Sequence, residues 1–418
     1  PRFRPNKKEQ GCGGLDGFFR YNGSGSAFAA SLISRRKLSL VDTHFGLTRD
    51  ALGALTKADA RANEIADLTA VPAGAWSALC GRAVEPNAFY APEWALAVTK
   101  HVPGDDNIKA LLAWDSPAKR KLIGFLPVVS VWRAMKLPLP VLVTWHAYAP
   151  LSVPLLDKDL AVEAASGLLR AAKEAGAHAL LFSMLTEGPA AEAFRTASTR
   201  HGHMPRVLRR EERALLDTKA DTEASLHDAL GAKKLKELRR QRNRLSDDGE
   251  VRFSVSVSPQ QTEAALDAFL RLEGAGWKGK RGTALGARQG LTRFIREAVR
   301  KLAPQGKFEV ATLTRGADVI AAGLVVRHGD RAYYFKTAYD ERFAKYSPGM
   351  QLTLDLTRHF CADATLRSAD STASADHPMI NQIWKGRLAL GETLVPFRAD
   401  GSAPLFAFLL SGRRALRE

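Results

Sequence analysis

Between Tyr333 and Met350 the chain reads YYFKTAYDERFAKYSPGM. An apolar strand runs out into a short polar loop, and Ser347-Pro348-Gly349 then opens an amphipathic helix. A helix start presents unpaired N–H groups and the positive end of its dipole, a setting suited to phosphate. Gly349 lets a backbone approach closely, Ser347 offers a cap or an oxygen ligand, and Lys345 and the neighbouring Tyr346 and Met350 complete the turn. Spacing alone favours a plainer description, a Ser-capped helix with proline in its first turn.

Other residues invite chemistry less strongly. Trp277 and Lys278 lie in a Gly-rich basic loop spanning 274–290. A tryptophan there either closes over a sugar or cofactor or simply docks the loop on the core. Lys336 interrupts an apolar strand, but alternation with Phe335 puts it on the opposite face, where solvent is an ordinary surrounding. Lys385 and Arg387 suit an anionic acceptor or a solvated helix face. His146 and His377 stand alone, with no metal-ligand partner at helical spacing, so no metal is expected. HExxH, GxSxG and P-loop patterns are absent.

The elements that must position these residues come from pattern. The chain has 418 residues, 45% hydrophobic and 25% charged, with a formal net charge of +17. This length implies two folded units. The positive balance favours polyanionic partners: nucleic acid, an anionic membrane surface or a phosphate-rich cofactor. Cys12, Cys80 and Cys361 form no CxxC pair, which argues against a disulfide framework and for a reducing compartment. No apolar run reaches membrane-span length, so the expected location is cytoplasmic.

Residues 1–65 are Gly-rich and poorly patterned, and read as an extension. Strands are expected at 108–114, 122–132 and 179–184, with Pro127 marking a bulge or edge, and a helix at 160–175. Residues 226–245 read as one basic helix with Lys233, Lys234, Lys236, Arg239, Arg240, Arg242 and Arg244. A second series comes next: strand 251–257, helices 259–272 and 291–302, an antiparallel meander at 308–314, 319–327 and 331–338, a helix at 349–361, a strand at 366–371, a helix at 380–388 and a strand at 393–397. The result is a mixed α/β chain with two halves of similar layout. The expected division is 1–65, 66–216, a connecting basic helix at 217–248, and 249–418.

Phe269–Gly286 (FLRLEGAGWKGKRGTALG) and Gly329–Met350 (GDRAYYFKTAYDERFAKYSPGM), with Asp370, Ile383-Trp384-Lys385 and a weaker echo at Tyr148–Leu156, resemble the bacterial CelD/BioF2-like acetyltransferase family of the GNAT superfamily. The resemblance spans roughly residues 70–400. It implies tandem GNAT-like domains, related in layout to Fem-type transferases. It also implies acetyl-CoA or another acyl-CoA on the second domain, with the pyrophosphate at Ser347-Pro348-Gly349. The usual phosphate loop, Q/R-x-x-G-x-G/A, is not present in that form.

In such chemistry an amine attacks the thioester directly, backbone N–H groups hold the oxyanion and a base removes a proton. Asp340, Asp370 and Glu273 are candidate bases, and Tyr339 or Tyr346 a candidate acid for the leaving thiolate. Trp277, Lys278, Lys336, Trp384 and Lys385 are candidate acceptor contacts. The implied acceptor is an amino sugar or a polysaccharide or envelope precursor. Two alternatives stand beside this. One is a Fem-like transferase using aminoacyl-tRNA, for which the basic helix suits an RNA backbone, although no returning helical arm accompanies it; nucleic acid is the less favoured partner. The other is a non-catalytic GNAT pair that binds peripherally at the inner membrane through the apolar-then-basic segment 404–417.

Overall fold

A computed structural model of the protein describes residues 63–104, 108–145, 147–397 and 402–415. The extension expected at 1–65, apart from its last residues, and His146 lie outside them. The first half comprises β1 (Asn63–Asp67), α1 (Ala73–Cys80), α2 (Pro92–His101), β2 (Lys109–Trp114), β3 (Leu122–Ser130) and α3 (Val131–Met135). It continues through β4 (Val141–Thr144), β5 (Leu155–Leu156), α4 (Ala161–Glu174), β6 (Ala179–Thr186), α5 (Pro189–Arg200) and β7 (Arg206–Asp217). After α6 (Thr222–Ser246) come β8 (Val251–Val255), α7 (Pro259–Ala275), α8 (Trp277–Lys280), α9 (Gln289–Leu302), β9 (Phe308–Arg315), β10 (Asp318–His328) and β11 (Arg331–Tyr339). The chain then forms α10 (Pro348–Ala362), β12 (Ser368–Asp370), α11 (Ile380–Ile383), β13 (Gly386–Pro396) and α12 (Ser402–Ala415).

All strands join one 13-stranded mixed sheet, in the order β1-β2-β3-β4-β6-β13-β7-β12-β11-β10-β9-β8, with β5 paired to β3. The order is symmetric about its middle. Each half ends in a strand that it gives to the other: β7 pairs with β12, and β13 pairs with β6. The two exchanged strands also pair with each other, antiparallel, from Gly386↔Leu215 to Leu394↔Arg206. Neither half can keep its sheet complete without the other's last strand.

The local patterns explain most elements. Pro259 begins α7 behind the Ser258 cap, whose side chain accepts from Gln261 N–H. Apolar residues at Leu291, Phe294, Ile295, Ala298, Val299 and Leu302 give α9 one buried stripe. Other expectations need correction. The strand expected to reach residue 132 stops at Ser130, which caps α3 through Arg133 N–H. Pro127 is not on an edge: it falls where β3 changes partner, from β5 at Gly124–Phe125 to β4 at Val128–Ser130. The basic helix breaks at Gly231 (φ 73°), a backbone conformation that favours glycine. The helix expected at 380–388 ends at Ile383, because Gly386 onward is drawn into β13.

The aromatic core crosses between halves. Trp94 and Phe89 of the first half pack on Phe335 and Tyr333 of β11, with ring centroids 4.9 and 5.2 Å apart, and Trp94 also meets Phe294 of α9 at 5.0 Å. Such pairs contribute about 0.5–1.5 kcal/mol each beyond area burial. Tyr333 Oη donates to Pro86 O at 2.6 Å. At the rim, Glu297 of α9 meets Lys100 and His101 of α2. No described helix is long and apolar enough to cross a membrane.

Candidate active site

The second half opens where β11 and β12 part. They pair in parallel only from Arg331↔Ser368 to Tyr333↔Asp370. β11 then continues to Tyr339 while the other chain turns away through Ser371–Ala373. The gap is a groove, one part beside Thr372 and the other beside Trp277 and Gly349. The two parts share Lys278, Thr337, His377 and Met379 as walls.

A bulge shapes the floor. Leu324↔Lys336 and Val325↔Tyr334 are paired, which leaves Phe335 as an extra residue. Alternation therefore fails here, and Lys336 does not point opposite Phe335. Both turn toward the side covered by α7, where Phe335 meets the Trp94 core and Lys336 Nζ donates to Glu273 Oε1 at 2.9 Å. Lys336 and Glu273 are both buried, and Glu273 Oε2 also accepts from Leu285 N–H at 2.7 Å. The expectation of a solvent-facing Lys336 is thus corrected. Glu273, weighed as a base, is already saturated.

The helix start lies where the spacing put it. Gly349 is buried and walls the groove beside Tyr339. A Cβ there would sit 3.5 Å from the Tyr339 ring and 3.8 Å from Met379 Sδ, ordinary contact distances. Ser347 adopts φ 53°, ψ 52° and makes no side-chain cap to α10; its carbonyl accepts from Gln351 N–H at 3.0 Å. Lys345 is exposed over the Tyr346 ring at 4.9 Å, and Met350 is half-buried. The first N–H groups of α10 and its positive end thus border the groove.

The loop with Trp277 forms α8 and closes over the same space. Glu341 accepts from Trp277 N–H at 2.7 Å and from Lys280 Nζ at 3.1 Å, clamping α8 to the turn after β11. Lys278 Nζ donates to Thr337 O at 3.2 Å. His377, set aside in the sequence as isolated, stands between both parts of the groove. Its Nδ1 accepts from Ile380 N–H at 3.4 Å, which leaves the ring proton on Nε2. Burial, with the charge of Lys278, holds its pKa below the ordinary value, so the ring is neutral at neutral pH.

Asp340 and Asp370 are engaged as well. Asp340 follows Tyr339 at the end of β11, caps the turn at Arg342 N–H and meets the Arg342 side chain at 2.7 Å. That guanidinium holds its carboxyl below the usual range. Asp370 is fully buried, accepts from Arg213 Nη2 at 2.5 Å and from Thr372 N–H at 2.9 Å. Trp384 and Lys385 do not reach the groove walls. Trp384 is 1% exposed, with Nε1 donating to Thr357 Oγ1 at 2.9 Å, because α11 turns it into the second core; Lys385 is exposed. Sequence reasoning missed Glu341, His377, Thr372 and Arg213. Only His377 carried a signal, a titratable ring before proline.

Residues 232–377, from α6 through β12 to His377, match the family described as acetyltransferase (GNAT) domain. No curated protein matches in sequence. Among solved structures, FemX aligns at a TM-score of 0.52 and 10% identity, over 82% of this chain and 99% of its own. The C-terminal domain of a putative lysylphosphatidylglycerol synthetase from Agrobacterium fabrum aligns at 0.49 and 15%, over 81% and 96%. A tandem GNAT protein from the clavulanic acid biosynthesis pathway aligns at 0.39 and 13%, over 80% and 98%. At such identities the FemX alignment speaks for fold alone. The chain is an enzyme of the acyltransferase kind, and the stretch that is similar to a GNAT domain contains β11, β12 and the start of α10 between them.

Proposed function

We propose that the groove binds an acyl-CoA and that the enzyme transfers its acetyl or acyl group to an amine. The observation that carries this reading is the parting of β11 from β12 beside the start of α10. An extended pantetheine arm would lie along the free edge of β11, and the diphosphate would meet the Ser347-Pro348-Gly349 turn. The amine nitrogen attacks the thioester carbon, the C–N bond forms and the C–S bond breaks. The amine loses a proton and the departing thiolate gains one. Asp340, at the end of β11 beside the groove, is the proposed base, and Tyr339 the proposed acid. Trp277 and Lys278 are proposed to close over the bound substrates.

The finer kinship is proposed to be with the CelD/BioF2-like group, and the acceptor an amino group of a sugar or envelope precursor. Residues 66–216 and 249–418 would then be two GNAT-like units joined by 217–248, with the donor on the second. Calorimetric titration with acetyl-CoA and longer acyl-CoAs tests the donor: saturable binding supports the reading, and no heat with any ester rejects it. Asp340→Asn should lower turnover by roughly 10²-fold or more; undiminished turnover removes Asp340 as base.

One observation favours a second reading, an aminoacyl-tRNA-dependent transferase. On α6, Lys234 and Arg242 are paired with Glu237 and Asp355. Lys233, Lys236, Arg239, Arg240 and Arg244 are exposed and make no ion pair among the described residues. α6 packs on the 341–346 turn that leads to the groove. Such a stripe suits a phosphate backbone. Retention of tRNA at moderate salt would favour it, and loss of binding would count against it.

A further inference from the structure

Arg213 lies on β7, the strand that the first half gives to the second. It is 2% exposed. Its Nη1 donates to Pro150 O of the first half at 2.7 Å, and its Nη2 donates to Asp370 of β12 at 2.5 Å. Nε is buried with no partner among the described residues. The contacts continue past Asp370. Its Oδ1 accepts from Thr372 N–H, and Thr372 Oγ1 donates to Tyr334 O of β11 at 2.8 Å. Thr372 has φ 48°, a left-handed conformation that a β-branched residue adopts only when its surroundings impose it.

That turn lies at the point where β12 leaves β11. The Thr372 hydroxyl occupies the Tyr334 carbonyl that a continuing β12 would use for its ladder. Thr372 and Tyr334 both wall the groove. The matching strand of the first half does not turn aside. Ser183 N–H donates to Thr144 Oγ1 at 3.1 Å, and β6 runs on to Thr186.

We propose that Arg213 is a positioning residue for the groove. Through Asp370 and Thr372, a side chain from the first half holds β12 away from β11 and keeps the groove open. Asp370 is thereby assigned to geometry rather than to taking the substrate proton. The effect on donor affinity rests on the acyl-CoA reading; the effect on the groove wall does not.

Hydrogen exchange separates the two. Arg213→Met alone leaves a buried unpaired carboxylate, so the informative variants are the Arg213→Met/Asp370→Leu double, which removes both charges, and Thr372→Gly, which keeps the ion pair and frees the turn. In each, amide exchange across 371–379 should rise about tenfold or more, while β2 and β3 stay unchanged. Arg213→Lys should restore part of the protection. Acetyl-CoA dissociation constants should rise about tenfold in the same two variants. Wild-type exchange at 371–379 in a folded double variant, or in Thr372→Gly, overturns the proposal. Raised exchange in a protein that never binds acetyl-CoA keeps the proposal and rejects the donor reading.

Discussion

In the first half, β4 runs parallel to β6 over Val141–Val143, much as β11 runs beside β12 over Arg331–Tyr333. Beyond these paired stretches the halves diverge. After β4 the chain inserts Trp145–Leu156 before α4. Trp145, Leu151 and Val153 are buried there, and Ser152 exchanges bonds with Met184 of β6, N–H to carbonyl at 2.9 Å and N–H to Oγ at 2.8 Å. β5 then pairs with β3. The first gap is sealed by its own chain. After β11 only a short 3-10 turn precedes α10, and β12 turns aside at Thr372. The same frame thus gives one closed half and one open half. The closed half lends the open one its aromatic floor and Arg213.

The most severe break in this comparison is Trp94→Ala. The ring is fully buried and touches Phe89, Phe294 and Phe335 across both halves. Denaturant unfolding should show a loss of about 3–5 kcal/mol. A smaller loss, with the aromatic contacts repacked, would mean that the floor is less shared than it looks.

The next change makes the open half resemble the closed one. Ala373 walls the groove, and Ala373→Trp places a large ring where the first half keeps Leu151–Val153. Acetyl-CoA affinity should fall by about 10²-fold, or about 2.7 kcal/mol, with little change in Tm. Unchanged binding would put the donor elsewhere.

Acid tests the join between halves. Burial alone would raise the Glu297 pKa, but hydrogen bonds from Lys301, His101 and Lys100 outweigh it and hold the carboxyl at about 2, below its ordinary 4.5. Its stabilising contribution is therefore complete above the ordinary carboxylate range and is lost as pH falls toward 2. Thermal unfolding of wild type and Glu297→Gln should converge across that window. A gap that stays constant with pH would contradict the shift.

The smallest effect is expected at the lid. Glu341→Gln weakens the charged clamp on Trp277 N–H and Lys280, worth about 1 kcal/mol. Global Tm should hold, and donor off-rates should rise several-fold. Unaltered off-rates would mean that α8 does not cover the ligand.

Much was legible in the chain itself. Near-continuous apolar runs joined by short Gly turns marked the β9–β11 meander, because each strand has one face on each core. Ser347-Pro348-Gly349 marked the start of α10, because proline and glycine constrain the backbone locally. β7 was hidden: its RREER run reads as solvated charge, and only pairing on both edges by β12 and β13 makes it a strand. The bulge at Phe335 was equally silent, since one extra residue changes facing without changing composition, and it alone buries Lys336 against Glu273.

The sequence by itself determined the elements whose cause is local: amphipathic stripes, caps, turns, most of the basic helix and the start of α10. Only the tertiary structure decided that Asp370 would meet Arg213, that His377 would stand in the groove, and that the first gap would be sealed. These depend on pairing partners far apart in the chain, such as Arg213 with Asp370, and on an exchange of strands between halves. Local propensity carries no record of such contacts, because their energy comes from burial and ion pairing that exist only once the sheet is assembled.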